Sequence, residues 1–294
     1  MEQPGLTPVP ETVITRSAVT ASTLVYSAPT PGAGSRYVDG RVAHEARVLA
    51  AFAAGEALAG AAGRRVGETV LAAGRAAKDL TGFADVRMVA HLAPLARAGL
   101  LAEPLGRVLG RLGHEDIAPF ARALGLSEDP LASSLNYALG AGTEATLRDA
   151  MRFAAGRDAL AREYARTFEV TRELARPALL SALSRADSVR GALVQSYLEV
   201  LSEVPDLDVG ARAGHGEAEE VARMAKGVLK AGGIHSRRGL EGVANLDGLL
   251  RADPRLAPTA TEPPVISAAF LVALEYGPDA LNQRLRPATG RAGR

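Results

Sequence analysis

The 294-residue chain contains no cysteine and no tryptophan, and six tyrosines with six phenylalanines leave aromatics at 4% of the sequence. Without thiols there is neither a disulfide framework nor a thiolate metal site, and the chain suits a reducing compartment. With so few rings, an interior drawn from 47% hydrophobic residues has to be built from alanine, leucine and valine, which favours closely approached helices. An excess of either charge is also missing: 34 basic and 33 acidic residues give a net charge of +1. There is no basic run and no interleaving of basic and aromatic residues, so nothing marks a nucleic-acid partner. No run reaches the roughly 18 uncharged apolar residues of a membrane span. Residues 1–10 lack a basic stretch followed by an apolar core. The chain therefore reads as cytoplasmic, with neither nucleic acid nor membrane as partner. Its five histidines stand alone, none having a second at i+2, i+3 or i+4, which argues against zinc. Walker, Rossmann and nucleophile-elbow motifs are absent.

What the chain does have is helical periodicity punctuated by glycine and proline. Segments with that character cover 11–25, 41–58, 66–78, 83–98, 117–124, 143–184, 188–204, 217–230, 240–251 and 265–276. The expectation is one all-α, multi-helix globular domain over residues 11–277, with flexible tails at 1–10 and 278–294. Pro94 should kink the fourth segment or sit near its start.

The most distinctive stretch joins the first two segments: Tyr26-Ser27-Ala28-Pro29-Thr30-Pro31-Gly32-Ala33-Gly34-Ser35-Arg36-Tyr37-Val38-Asp39-Gly40. Its prolines and glycines bar it from either helix. It is a proline-braced turn or a ligand cradle, since successive free N–H groups beside a helix N-terminus attract anions. Arg36 brings a fixed positive charge and Asp39 a metal ligand or base. Further on, Arg157, Ala161, Tyr164 and Phe168 stand at i, i+4, i+7 and i+11, which predicts an arginine on one stripe with two aromatics. An inward charge needs a partner, so Arg157 is a structural ion pair, a snorkelling side chain or a phosphate ligand. Asp158 correspondingly pairs with Arg162 or acts as a metal ligand or general base.

The loop resembles that of the triphosphoribosyl-dephospho-CoA synthase family, in which Pro-Lys-Pro-Gly-Asn precedes Ser-Arg-Tyr-x-Asp. Pro29, Pro31, Gly32, Ser35, Arg36, Tyr37 and Asp39 match it, while Thr30 replaces the lysine and Ala33 the asparagine. Val66-Gly67-Glu68, Leu92-Ala93-Pro94-Leu95, Arg157-Asp158 with Tyr164, and Pro205-Asp206 keep the family frame. Glu163 stands where the family has glutamine. Phe83-Ala84-Asp85-Val86-Arg87 fills the Asn-Thr-Asn-Leu-Gly positions, and the Pro-Gly-Gly-Leu-Gly segment has no counterpart. Asn-Pro-Gly-Thr-Thr-Ala-Asp survives only as Pro258 and Thr261, with the carboxylate displaced to Glu262.

The resemblance implies an all-helical fold that moves the triphosphoribosyl unit of ATP onto dephospho-CoA and releases adenine, with Mg²⁺ on the triphosphate. By the same resemblance Asp39, Asp85 and Asp158 are catalytic, with Asp39 and Asp158 also metal ligands. Gly32, Ser35, Arg36, Arg157, Tyr164 and Arg212 would bind the nucleotide. The partner is a nucleotide or coenzyme, and a homo-oligomer is left open. Two other readings stand beside this one. The chain could make a one-carbon carrier of the methanopterin or methanofuran kind, or be a catalytically degenerate homologue that only binds.

Overall fold

A computed structural model describes residues 7–38, 40–140 and 144–282. Sixteen α-helices and no strand occur among them, so the all-α expectation holds. In chain order, α1 (Glu11–Ser27), α2 (His44–Ala59), α3 (Val66–Thr81) and α4 (Val86–Leu101) each pack on the next. Five short helices follow: α5 (Leu105–Gly110), α6 (Ile117–Gly125), α7 (Leu131–Gly140), α8 (Leu147–Ala154) and α9 (Ala159–Ala165), of which α5, α6 and α9 pack on α3 or α4 while α7 and α8 bridge α6 to α9. The chain returns through α10 (Arg176–Arg185), α11 (Val189–Glu203), α12 (Leu207–Ala213), α13 (His215–Lys230) and α14 (Arg237–Ala252). It then enters the middle as α15 (Glu262–Tyr276), against α1, α4, α10 and α11.

Ten of the fifteen residues of α15 are buried, as a helix that is apolar all round requires. Small residues set the spacing around it: Ser17, Ala18, Ala21 and Ser22 of α1, and Ser267, Ala268 and Ala269 of α15, are buried. Gly55 does the same between α1 and α2, where a Cβ would stand 2.8 Å from Cγ2 of Val19. The run His44–Gly63 is long and apolar enough to cross a membrane by length and composition. It lies against α1 and α3, and Arg47 on it is ion-paired inside the fold.

The segment expected as one helix over 143–184 is broken. Asp158 caps α9 by accepting from the Ala161 N–H at 2.8 Å, so the helix starts after it. Arg157 therefore precedes the helix and is exposed, its guanidinium 5.2 Å from the Phe153 ring, and the stripe linking it to Tyr164 and Phe168 does not exist. Beyond α9, Thr167 and Phe168 adopt left-handed φ of 57° and 59°. The buried Glu163 carboxylate then accepts from the N–H groups of Val170 and Thr171 at 2.9 and 3.1 Å, opening a π-helical turn, Val170–Ala175, that leads into α10. The ordered chain also continues past residue 277 into α16 (Asp279–Asn282), whose Leu281 is buried. Residues 1–6 and 283–294 of the expected tails lie outside the described residues.

Pro94 lies in the interior of α4. Having no N–H, it leaves the Ala90 carbonyl without its helical donor. The Tyr164 hydroxyl of α9 donates to that carbonyl at 2.7 Å, and Tyr164 is itself buried. Tyr164 thus completes a broken backbone hydrogen bond in the core. Tyr164→Phe should lower stability by about 1–3 kcal/mol, since it strands a buried carbonyl. Urea denaturation of a double-mutant cycle checks this: on a Pro94→Ala background, where the N–H is restored, the same change should cost less than half as much.

Candidate functional site

The loop after α1 is held closed from several sides. Gly32 has φ +77° and donates its N–H to Oδ1 of Asp247 on α14 at 2.9 Å. A Cβ there would come within 3.0 Å of both Leu250 Cβ and Pro258 Cδ, so the position takes glycine on two counts. Arg251 pairs with Asp247 at 2.8 Å and donates to the Ala33 carbonyl at 2.5 Å. The buried Tyr197 hydroxyl lies between the carbonyls of Pro31 and Pro258, at 3.2 and 3.3 Å. Ser35 and Val38 form an isolated antiparallel bridge, and Ser35 Oγ accepts from the Tyr37 N–H at 3.2 Å. Arg36 is exposed, 5.3 Å from the Tyr37 ring. Asp39 lies outside the described residues.

Behind the loop is a buried ionic centre. Arg47 of α2 lies 3.7 Å over the Tyr26 ring, donates to the Gly34 carbonyl at 3.4 Å, and pairs with Glu262 at the start of α15. It is also 3.7 Å from Oδ2 of Asp85. Asp85 caps α4 by accepting from the Met88 N–H at 3.0 Å, and its other oxygen accepts from the Tyr26 hydroxyl at 2.8 Å. Burial disfavours the Arg47 charge, but Glu262, Tyr26 and Asp85 more than offset this and keep it protonated. Burial, with Asp85, likewise pushes the Tyr26 hydroxyl well above its ordinary range, so it remains a donor. Oε1 of Glu262 is buried and has no hydrogen-bond partner among the described residues.

Two further carboxylate groups adjoin the centre. Arg87, two residues beyond Asp85, binds Asp129 at 2.6 Å and Asp158 at 2.7 Å. Both Asp158 oxygens are thereby engaged, one as helix cap and one as ion-pair partner. Among the described residues no group of three or more histidine or carboxylate side chains is placed to hold a metal ion. On the other side, Asp206 caps α12 through the N–H groups of Asp208 and Val209, and accepts from the Thr261 hydroxyl at 2.8 Å. Arg212 ties α12 to the 255–259 strap, reaching the Arg255 and Ala257 carbonyls and Oγ1 of Thr259. A cavity of about 20 Å³, room for one water, lies between Asp206, Arg162 and Glu163. A larger groove of about 460 Å³ runs between α13 and α14, lined by Met224, Val228, Leu246 and Leu249, and none of the charged residues above borders it.

Of the residues expected from the sequence, the structure gathers Asp85, Gly32 and Ser35 around the loop and places Asp158 next door through Arg87. Arg36 and Arg157 are surface cations, and Arg212 is an exposed brace. Arg47, Arg87, Asp129 and Asp247 were not anticipated, and Glu262 was noted only as a displaced carboxylate. The available signal was Arg47 itself, a lone arginine in an alanine-rich helix. Burial raises the Asp206 carboxyl to about 6, with Asp208 adding to the effect. A folded-state value above the unfolded one favours the fold below about pH 4, and that contribution is lost as pH rises through 6. Relative to Asp206→Asn, the parent should therefore lose about 3 kcal/mol of stability between pH 4 and pH 7. Paired urea titrations across that range measure it.

Comparison with known proteins follows the same outline. The profile of the family described as CitG, ATP:dephospho-CoA triphosphoribosyl transferase, matches residues 12–279. A solved structure from Archaeoglobus fulgidus, a candidate triphosphoribosyl-dephospho-CoA synthase, superposes with a TM-score of 0.60 at 22% identity. The alignment covers 78% of this chain and 97% of that one, and at this identity it speaks for the fold. No curated protein matches the chain. Of the three readings drawn from the sequence, the transferase is the one these matches support; neither the one-carbon-carrier role nor the purely binding role gains a finding. The chain belongs to the ATP:dephospho-CoA triphosphoribosyl transferase family.

Proposed function

We propose that this chain transfers the triphosphoribosyl unit of ATP to dephospho-CoA, in the cytoplasm, at the centre formed by Arg47, Glu262 and Asp85. The observation that carries this placement is the unpaired, buried Oε1 of Glu262, held beside a charged Arg47 at the N-terminus of α15. Such an atom is a base without a proton to accept until a ligand brings one. Breaking the C1′–N9 bond of ATP builds positive charge on the ribose, as in glycoside chemistry. Glu262 and Asp85 both approach Nη2 of Arg47 and supply negative charge to that cation, while Glu262 takes the proton of the attacking ribose hydroxyl. Arg47 fixes the Glu262 carboxylate by occupying Oε2.

The triphosphate falls to the exposed cations, Arg36 on the loop and Arg157 before α9. Mg²⁺ enters as part of the substrate, bound to phosphate oxygens. Incubation with ATP, Mg²⁺ and dephospho-CoA should release adenine in step with acceptor consumption. Glu262→Gln should lower kcat by about 10²–10⁴-fold with little change in KM for ATP. Arg36→Ala and Arg157→Ala should instead raise the Kd for ATP. No adenine from the parent protein, with no binding of either substrate in a calorimeter, would overturn the proposal.

A further inference from the structure

The geometry points to His44 as the proton donor to the departing adenine, an assignment that rests on the transferase reading of the Arg47 centre. His44 opens α2, and Arg47 follows one turn later on the same face. The last two residues of α1 meet these two side chains in order. Tyr26 lies 3.7 Å beneath the Arg47 guanidinium, and Ser27 Oγ is 3.4 Å from Nε2 of His44. The imidazole is therefore fixed beside the centre from the α1 side, while Glu262 flanks the same Arg47 from α15.

Nδ1 of His44 is buried and has no partner among the described residues. Leaving a buried ring nitrogen unpaired is unfavourable, and it is accounted for if a ligand group completes the bond. Glu262 Oε1 stands in the same condition. One turn of α2 and one ion pair thus connect two vacant polar atoms, one on a carboxylate and one on an imidazole.

The reaction calls for such a pair. When the acceptor oxygen bonds to C1′, the hydroxyl proton passes to Glu262. The electron pair of the broken C1′–N9 bond goes to adenine, which must gain a proton on a ring nitrogen to leave as the neutral base. His44 gives that proton from its ring nitrogen, and the proton taken by Glu262 replaces it on His44. The hydroxyl proton ends on adenine, and no co-reactant is needed. The other side chains at the centre are already occupied: Tyr26 donates to Asp85, and Arg47 holds Glu262. His91 bonds the Arg87 carbonyl through Nδ1, and burial drives its imidazole down to about 4, so it carries no proton to give at neutral pH.

A leaving-group series separates this role from a structural one. Adenine-substituted ATP analogues, graded by how readily the base departs unprotonated, are assayed with dephospho-CoA for base release by the parent protein and by His44→Gln. The expected result is a loss of about 10²–10⁴-fold with ATP that shrinks to a few-fold for the best-departing base. The rate of the variant should thus depend steeply on the base, where the parent's is shallow. Ser27→Ala should give a weaker form of the same pattern. An equal loss across the series, or a loss below threefold with ATP, overturns the assignment while leaving the transferase reading intact. If circular dichroism shows that His44→Gln has not folded, His44→Asn is read by the same criteria. Absence of base release from the parent would instead defeat the transferase reading itself.

Discussion

A guanidinium cannot be taken out of water alone, and the charged half of this fold is arranged around that constraint at Arg47. Its partners come from three separate stretches: Asp85 before α4, Glu262 at the head of α15, and the Gly34 carbonyl in the loop. Breaking its pair with Glu262 would strip the guanidinium of its close counter-ion, a situation worth about 3–5 kcal/mol in proteins where buried pairs are broken. The central helix and the loop are thus held in register by the same buried group. Tyr26 adds an aromatic floor and a hydroxyl that fixes the orientation of Asp85.

The surrounding carboxylates follow a second rule. Asp85, Asp158 and Asp206 each occupy the cap position of a helix, at the starts of α4, α9 and α12. Capping satisfies free N–H groups and places negative charge at the positive end of the helix dipole. The same placement brings several acidic groups around one region, with Arg47 and Arg87 threading between them.

Helical periodicity and the family frame made the fold legible from sequence, because alanine-rich amphipathic runs and glycine breaks are local signals. The division within 143–184 was not legible. That Asp158 caps a helix depends on where the first helical turn begins, which residue type alone does not tell. Glu163 could not be foreseen as the cap of a π-helical turn that begins seven residues later. The site was half visible for a related reason. Asp85, Gly32 and Ser35 stand within motifs, whereas the Arg47–Glu262 and Gly32–Asp247 contacts each span 215 residues, a separation that no spacing rule reaches.

The pairing of Pro94 with Tyr164 has a consequence for descent. A proline inside α4 is tolerable because a hydroxyl 70 positions later in the chain answers the carbonyl it strands. Neither residue is fully neutral to change while the other remains, so in diverging lineages the two should be kept or lost as a pair. A tyrosine that looks like part of a nucleotide motif would then record the history of a proline in another helix, and its persistence would say nothing about whether the chain still turns over substrate.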